Sequence, residues 1–360
     1  MNHLELFSGV GGFRRALDLL SQDNVMDFHC VGYSEIDKHA TITYQSIYDI
    51  APDEIEMGDI VAFTQNATKM SALKKVKYNL LTGGFPCQTF SMMGKKAGFD
   101  DEDRGQMFFR ILDVVDACKP KYLLLENVKN LFTHDNKRTY QRIEKELSDR
   151  GYNTYSNIFN TSDFGLPQTR NRVLIFATLK SMPKQFKENY TPENVKKLFW
   201  EHVHEMSVLT YDSTLDILAK SVSDKYLLSE RIKPTILADG SANFKSNSEI
   251  NLRIARPLTA SMHKMHRACQ DNYYSLDFIE SNGRDNPATY CTKEELAKRK
   301  IRKITPEEAF MLQGFPGEFA EKARAAGVGN GALYKQAGNA VSVNTIYAVL
   351  YYLIVNKAIQ

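Results

Sequence analysis

Short apolar runs rich in β-branched and aromatic residues alternate with longer stretches of helical period through the first half of the chain, which predicts an α/β fold. The runs predict strands at residues 3–7, 28–34, 78–81, 122–125, 153–159 and 172–178. Between them, Met107, Phe108, Ile111, Leu112 and Val115 form one helical stripe. Tyr140, Ile143 and Leu147 form another, which Gly151 is placed to end. A mostly parallel sheet covered by helices follows. Beyond Leu179 the alternation fades into Ser, Asn, Lys, Tyr and His with short apolar runs, which predicts a smaller domain over residues 181–300. Order returns at Thr305-Pro-Glu-Glu308, an N-cap, a proline at the first helical position and a capping-box glutamate, with Gly314 closing a two-turn helix. A final apolar helix is predicted over residues 343–358. Residues 1–180 and 330–360 thus read as one domain, joined to the smaller one through 301–329.

Composition removes several classes of protein. The chain has 360 residues, 43% of them hydrophobic, enough for one large core and a smaller one. With 46 basic and 43 acidic residues the net charge is only +3, so any nucleic-acid contact must come from a local patch. The apolar run at 349–355 is far short of the roughly 20 residues a bilayer span needs, so no membrane role is expected. The first residues show no signal-peptide pattern. Five cysteines without Cys-x-x-Cys spacing predict neither a disulfide framework nor a zinc ribbon, but a reducing cytosolic setting.

Leu4-Glu-Leu-Phe-Ser-Gly-Val-Gly-Gly-Phe13 reads as a strand, a glycine-rich turn that lets backbone approach a ligand, and a helix. Alone it is also what many plain strand-to-helix turns look like. Glu35, in Ser34-Glu-Ile-Asp37, stands where Rossmann-type sites place the acid that holds ribose hydroxyls, and the pair points to an adenosine-containing cofactor. Asp59 by itself reads as a solvated turn acid; in an adenosine site it could accept from the exocyclic amine. Gly83-Gly-Phe-Pro-Cys-Gln88 leaves the sheet at its glycines, which puts Cys87 at the carboxyl edge as a candidate thiolate nucleophile. Cys30 and Cys118 instead read as small buried hydrophobes. Glu126, after three leucines, is expected to be desolvated with a raised pKa suited to proton donation, unless Glu126-Asn127 merely caps a helix. Arg170 and Arg172, two apart at the head of a strand, point to one side and suit phosphate or carbonyl recognition, or simply blunt an edge.

In this order, the blocks FSGVGGF, SEID, GDI, GGFPCQ, DRGQMFF, ENV, QTRNR, RKITPEEAFMLQGFP and QAGNAVSVN resemble those of the cytosine-C5 DNA methyltransferases, particularly those of bacterial restriction-modification systems. The match runs over residues 4–178 and from 301 to the end. Ser8, where alanine is commoner, and Ala337, where phenylalanine is frequent, are departures that remove no reacting group. The resemblance implies S-adenosylmethionine as cofactor, with Phe7, Gly9, Gly12, Glu35, Ile36, Asp59, Ile60, Pro86, Met107 and Asn339 as its contacts. It implies Cys87, Glu126, Arg170 and Arg172 as the catalytic set and double-stranded DNA as substrate. It also implies a Rossmann-like sheet with helices on both faces and a monomer in the bacterial cytosol, with a restriction endonuclease as a candidate genetic partner. Residues 181–300 match no reaction block; in the family this region reads the target sequence.

Within residues 251–267 lie Arg253, Arg256, Lys264, Arg267 and two histidines but no acid, a candidate phosphate-contacting run that otherwise reads as a solvated face. Residues 298–303 form a weaker one. His263, His266 and Cys269 lack a fourth ligand at suitable spacing, so no metal is expected. An RNA cytosine methyltransferase of the same fold would use the same cysteine chemistry, and the sizeable reading segment favours DNA. A nicotinamide oxidoreductase would leave Pro86-Cys87-Gln88 and Glu126-Asn127-Val128 unexplained.

Overall fold

The computed structural model describes residues 1–86, 106–240 and 247–360. A seven-stranded sheet is built from β1 (Asn2–Leu6), β2 (His29–Tyr33), β3 (Ile55–Glu56), β4 (Leu80–Gly84), β5 (Tyr122–Val128), β6 (Asn153–Asn160) and β7 (Asn171–Thr178), in the order β3-β2-β1-β4-β5-β7-β6. The first five run parallel, each returning through helical crossovers. β7 lies antiparallel between β5 and β6, because the link from β6 to β7 is too short for a crossover helix and closes as a hairpin. All six predicted strands are present within a few residues, and the two-residue β3 adds an edge.

Two apolar layers sandwich the sheet. On one face Phe108, Ile111, Leu112 and Val115 of helix Gln106–Cys118, with Ile143 and Leu147 of helix Arg138–Ser148, meet alternate residues of the central strands. On the other, Phe13, Ala16, Leu17 and Leu20 of helix Gly12–Gln22 pack with the C-terminal helix Val343–Val355. The stretch Asn330–Val355 is long and apolar enough to match a membrane span by length and composition, yet 78% of its most apolar window is buried in this layer.

The predicted smaller domain divides in its packing. Helices Lys184–Asn189 and Pro192–His202 bury Phe186, Val195 and Phe199 in the same layer as the C-terminal helix. Among the described residues, a separate small core is built from Leu228, Ile236, Leu237, Ile250, Tyr273, Leu296 and Ile301. It carries an antiparallel pair, β8 (Tyr273–Ser275) and β9 (Ile301–Lys303). The capping box of Thr305 and Glu308 is present on helix Pro306–Met311. Glu308 also makes a bidentate, fully buried pair with Arg302 and accepts from Ala219 N–H at 2.8 Å, tying three stretches of chain together.

Candidate active site

Strand order reverses between β1 and β4, whose crossovers depart in opposite directions, and open α/β sheets bind ligands at such a switch point. A cleft of about 390 Å³ opens there, lined among others by Phe7, Gly9, Glu35, Ile36, Pro86, Glu126, Arg172 and Asn339. Residues 7 to 11 leave β1 through left-handed backbone at Phe7 (φ 54°), Gly9 (φ 56°) and Gly11 (φ 78°). A Cβ on Gly9 would meet no atom of the described residues within 4 Å, which leaves room for a ligand to approach the backbone. Glu35 fixes this turn: its Oε2 accepts from Gly9 N–H at 2.8 Å and its Oε1 from Asp37 N–H at 2.7 Å. The turn is backed from below by Tyr48, whose hydroxyl donates to the Gly11 carbonyl at 2.6 Å. Arg14, bonded to Glu54 at 2.8 Å, stacks over the Tyr44 and Tyr48 rings.

On the other side of the switch point, Glu126 lies in β5 and not at a helix cap. It is 9% exposed, and Arg172 Nε donates to its Oε1 at 2.9 Å. Burial raises its pKa above the ordinary carboxylate value; the nearby Arg172 and Arg170 guanidinium groups oppose the shift and are outweighed. The next residue, Asn127, is buried and donates from Nδ2 to the Phe85 carbonyl at 3.1 Å, fixing the backbone just before Pro86. Cys87, the expected nucleophile, lies outside the described residues. Burial lifts the Cys30 thiol to about 12 and raises that of Cys118, which leaves both poor nucleophiles at neutral pH.

Arg170 also lines the cleft, but most of its guanidinium is engaged within the fold. It is 2% exposed, and its Nη groups donate to the carbonyls of Leu258 at 2.9 Å, Gly338 at 3.1 Å and Ala340 at 2.8 Å. A guanidinium fork so occupied holds protein backbone, and of the two arginines Arg172 is the one set beside the carboxylate. Four expected cofactor contacts are placed by packing. Gly12 lies against Val341, Asp59 caps helix Ile60–Thr64 by accepting from Val61 N–H at 2.9 Å, and Ile60 and Met107 join the apolar layer beneath.

The basic run is also sorted by the structure. Lys264 and Arg253 are exposed, with Arg253 leaning over the Phe278 ring. Arg256 donates to the Glu249 carbonyl at 2.8 Å. Arg267 pairs with Asp271 at 2.8 Å, an acid just beyond the run, and its charge is therefore compensated within the fold.

Sequence reasoning missed Asn127, Lys335 and Gln336 as cleft-lining residues. Lys335 pairs with Asp37 at 2.5 Å across the cleft mouth, and Gln336 accepts from Thr43 Oγ1 at 3.0 Å. Only the block Gln336-Ala-Gly-Asn339 hinted at the latter.

The residues fit S-adenosylmethionine. Ile36 is 72% exposed at the mouth, an apolar platform of the kind a planar base covers. Ser8 Oγ and Gln336 Nε2, on residues lining the cleft, are buried without a partner among the described residues, as polar atoms awaiting a polar ligand would be.

The family model for C-5 cytosine-specific DNA methylases matches residues 1–354. The chain is 35% identical over 350 residues to the Type II methyltransferase M.SsoII of Shigella sonnei, covering 96% of this chain and 78% of that one. It is 31% identical over 348 residues to M.HaeII of Haemophilus aegyptius, covering 96% and 90%. Among solved structures, the S. pombe Dnmt2 methyltransferase superposes with a TM-score of 0.72 at 19% identity, covering 100% of this chain and 99% of that one. This last likeness concerns the fold.

Proposed function

The chain belongs to the C-5 cytosine-specific DNA methylase family, and from that premise we propose that it methylates C5 of a cytosine swung out of a specific duplex sequence, through a covalent Cys87–C6 adduct. The observation that carries this reading is the buried Glu126–Arg172 pair, facing the same cleft as the glycine turn and Pro86. Cytosine C5 is too weak a nucleophile to take a methyl from a sulfonium unaided. Addition of the Cys87 thiolate to C6 forms a carbon–sulfur bond and pushes electron density toward N3. A protonated Glu126 against the Watson–Crick edge donates to N3 and stabilises that charge, which is the use of its raised pKa. Arg172 holds the carboxyl in place and suits the adjacent base carbonyl. When bound, S-adenosylmethionine supplies an electrophilic methyl group to C5. A base then removes the C5 proton, and the thiolate leaves by elimination. Neither ring atom is accessible in stacked DNA, so the base must be extruded at a cost of about a few kcal/mol.

Phe7, Gly9, Glu35, Ile36, Pro86 and Asn339 would hold the cofactor from the cleft walls. Gly12, Asp59, Ile60 and Met107 would support those walls. Residues 181–300 would read the target, with the isolated core around Leu228 and Ile301 as their scaffold. Relatives named as Type II methyltransferases favour DNA over RNA and suggest a partner restriction endonuclease in a bacterial cytosol.

The test is a duplex carrying 5-fluorocytosine at the methylated position, whose C5 fluorine cannot be removed as a proton. Wild type should form a denaturation-resistant adduct with it, and Cys87→Ser should not. Turnover on ordinary DNA with no adduct on the fluorinated duplex would overturn the covalent mechanism.

A further inference from the structure

Arg170 stands where three remote stretches of chain meet. Its own strand-head segment supplies the guanidinium, Leu258 comes from the reading region, and Gly338 and Ala340 come from the rim of the cleft. Gln168, fully buried two residues earlier, also holds Leu258 and ties in a further stretch: its Oε1 accepts from Leu258 N–H at 2.9 Å and its Nε2 donates to the Leu312 carbonyl at 2.8 Å. Backbone pairing of Gln168 with Ala255 continues the seam. At Gly338 the two remote stretches touch directly, since a Cβ there would fall within 2.2 Å of the Thr259 carbonyl carbon and 2.4 Å of Ala260 N.

From this seam a rigid path leads to the basic run. Arg267 donates to Thr259 Oγ1 and to Ser261 Oγ, the latter at 3.0 Å, while its charge is held by Asp271. Thr259 lies against Gly338, and Gly338 precedes Asn339 on the cleft wall. We infer that Arg170 is a positioning residue that holds the target-reading segment and the cofactor rim in one register. It does this through the Leu258, Gly338 and Ala340 carbonyls and does not touch the extruded base. The inference rests on the proposed function, in which the cleft takes the cofactor and the run 253–267 meets DNA. A planar fork with five donors can satisfy three carbonyls from fixed directions, which a single ammonium cannot reproduce. Displacement of the reading segment must then displace the rim, so DNA and cofactor each favour the other's binding, and by the same factor.

Full-length protein is titrated with S-adenosylhomocysteine, which cannot turn over, with and without a duplex containing the site mapped in host DNA. In wild type the duplex should tighten binding by about 5-fold or more. In Arg170→Lys, binding without DNA should weaken severalfold and the enhancement should fall toward unity. If Arg170→Lys binds S-adenosylhomocysteine as wild type does, keeps the enhancement and loses only adduct formation, Arg170 is a base contact and the inference is wrong. If that variant does not fold, Arg267→Gln, at the outer end of the path, decides: a lost enhancement supports the coupling and a retained one overturns it. A wild type that binds S-adenosylhomocysteine with no enhancement by DNA also overturns it. A wild type that binds none at all sinks the proposed function together with this inference.

Discussion

Arg172 Nε lies 2.9 Å from Glu126 Oε1, yet the carboxyl is harder to ionise than a free one. Their strands are antiparallel, with Glu126 opposite Leu174 and Arg172 opposite Val128, so the two side chains meet as a diagonal pair on one face. Leu125 and Leu174 beside them are fully buried, and Glu126 loses its hydration on entering that surface. Desolvation outweighs the attraction of a nearby cation, which leaves an acid that is oriented and still able to carry a proton.

Glu126→Gln should therefore lower the rate of adduct formation by roughly 10² or more while leaving cofactor affinity almost unchanged. The wild-type rate should also fall as pH rises through the raised pKa of Glu126, because the proton donor is lost. That descending limb should be missing in the glutamine variant. Rapid-quench measurement of adduct formation across pH checks both, and an unaltered rate would make Glu126 a purely structural acid.

A second expectation concerns the underside of the glycine turn. Tyr48→Phe deletes the hydroxyl that donates to the Gly11 carbonyl and keeps the ring that Arg14 covers. Loss of one buried hydrogen bond costs about 1 kcal/mol. Where that loss loosens the turn, KM for S-adenosylmethionine should rise severalfold with kcat nearly unchanged. An unchanged KM would show that the Tyr48 hydroxyl is dispensable to the turn.

The sheet was legible because its strands are largely apolar runs, β1 and β4 leading into glycine turns, and Glu35 and Glu126 because each stands at or just past the carboxyl end of such a run. The contacts of Arg170 and Arg267 were not legible. Arg170 is bonded to residues 88 to 170 positions away, and Asp271 sits just past the charge run that was read as free of acids. Helices Lys184–Asn189 and Pro192–His202 follow the fading of the strand pattern, so only their contact with the C-terminal helix reveals that they complete the first core. β7 was identified as a strand, but its direction depends on a hairpin link that residue periodicity does not encode.

Two buried groups on β1 set the pH range of stability. Glu5 is fully buried, and burial raises its pKa from 4.5 to about 8 against the opposing pull of Arg14 and a hydrogen bond from Tyr44. The folded state holds this proton more tightly than the unfolded state does, so stability falls as pH rises from 4.5 through about 8. His3 is lowered from 6.5 to about 3, first by burial and then by Arg14. Its unfolded form binds a proton sooner, so stability falls as pH drops from 6.5 toward 3. Denaturant unfolding should show both declines, and Glu5→Gln should remove the alkaline one, gaining on the order of 2 kcal/mol over wild type at pH 9. A parallel decline in the variant would mean that other groups govern that limb.

The last expectation separates the basic run by what each charge already touches. Lys264 is exposed, and among the described residues Arg253 makes a 3.3 Å bond to the Gly283 carbonyl and a ring contact. Arg267 is neutralised by Asp271 and bonded to Thr259 and Ser261. A cation that contacts a phosphate releases a condensed counterion, so Lys264→Ala and Arg253→Ala should each weaken binding to every duplex alike. Each should also reduce the log–log salt slope by about 0.9. Arg267→Gln should leave that slope unchanged, since its charge is compensated before DNA arrives, and should act on cofactor coupling instead. Binding isotherms between low and moderate salt distinguish the two behaviours. Equal loss of slope in all three variants would place Arg267 on the phosphate backbone and break its assignment to the seam.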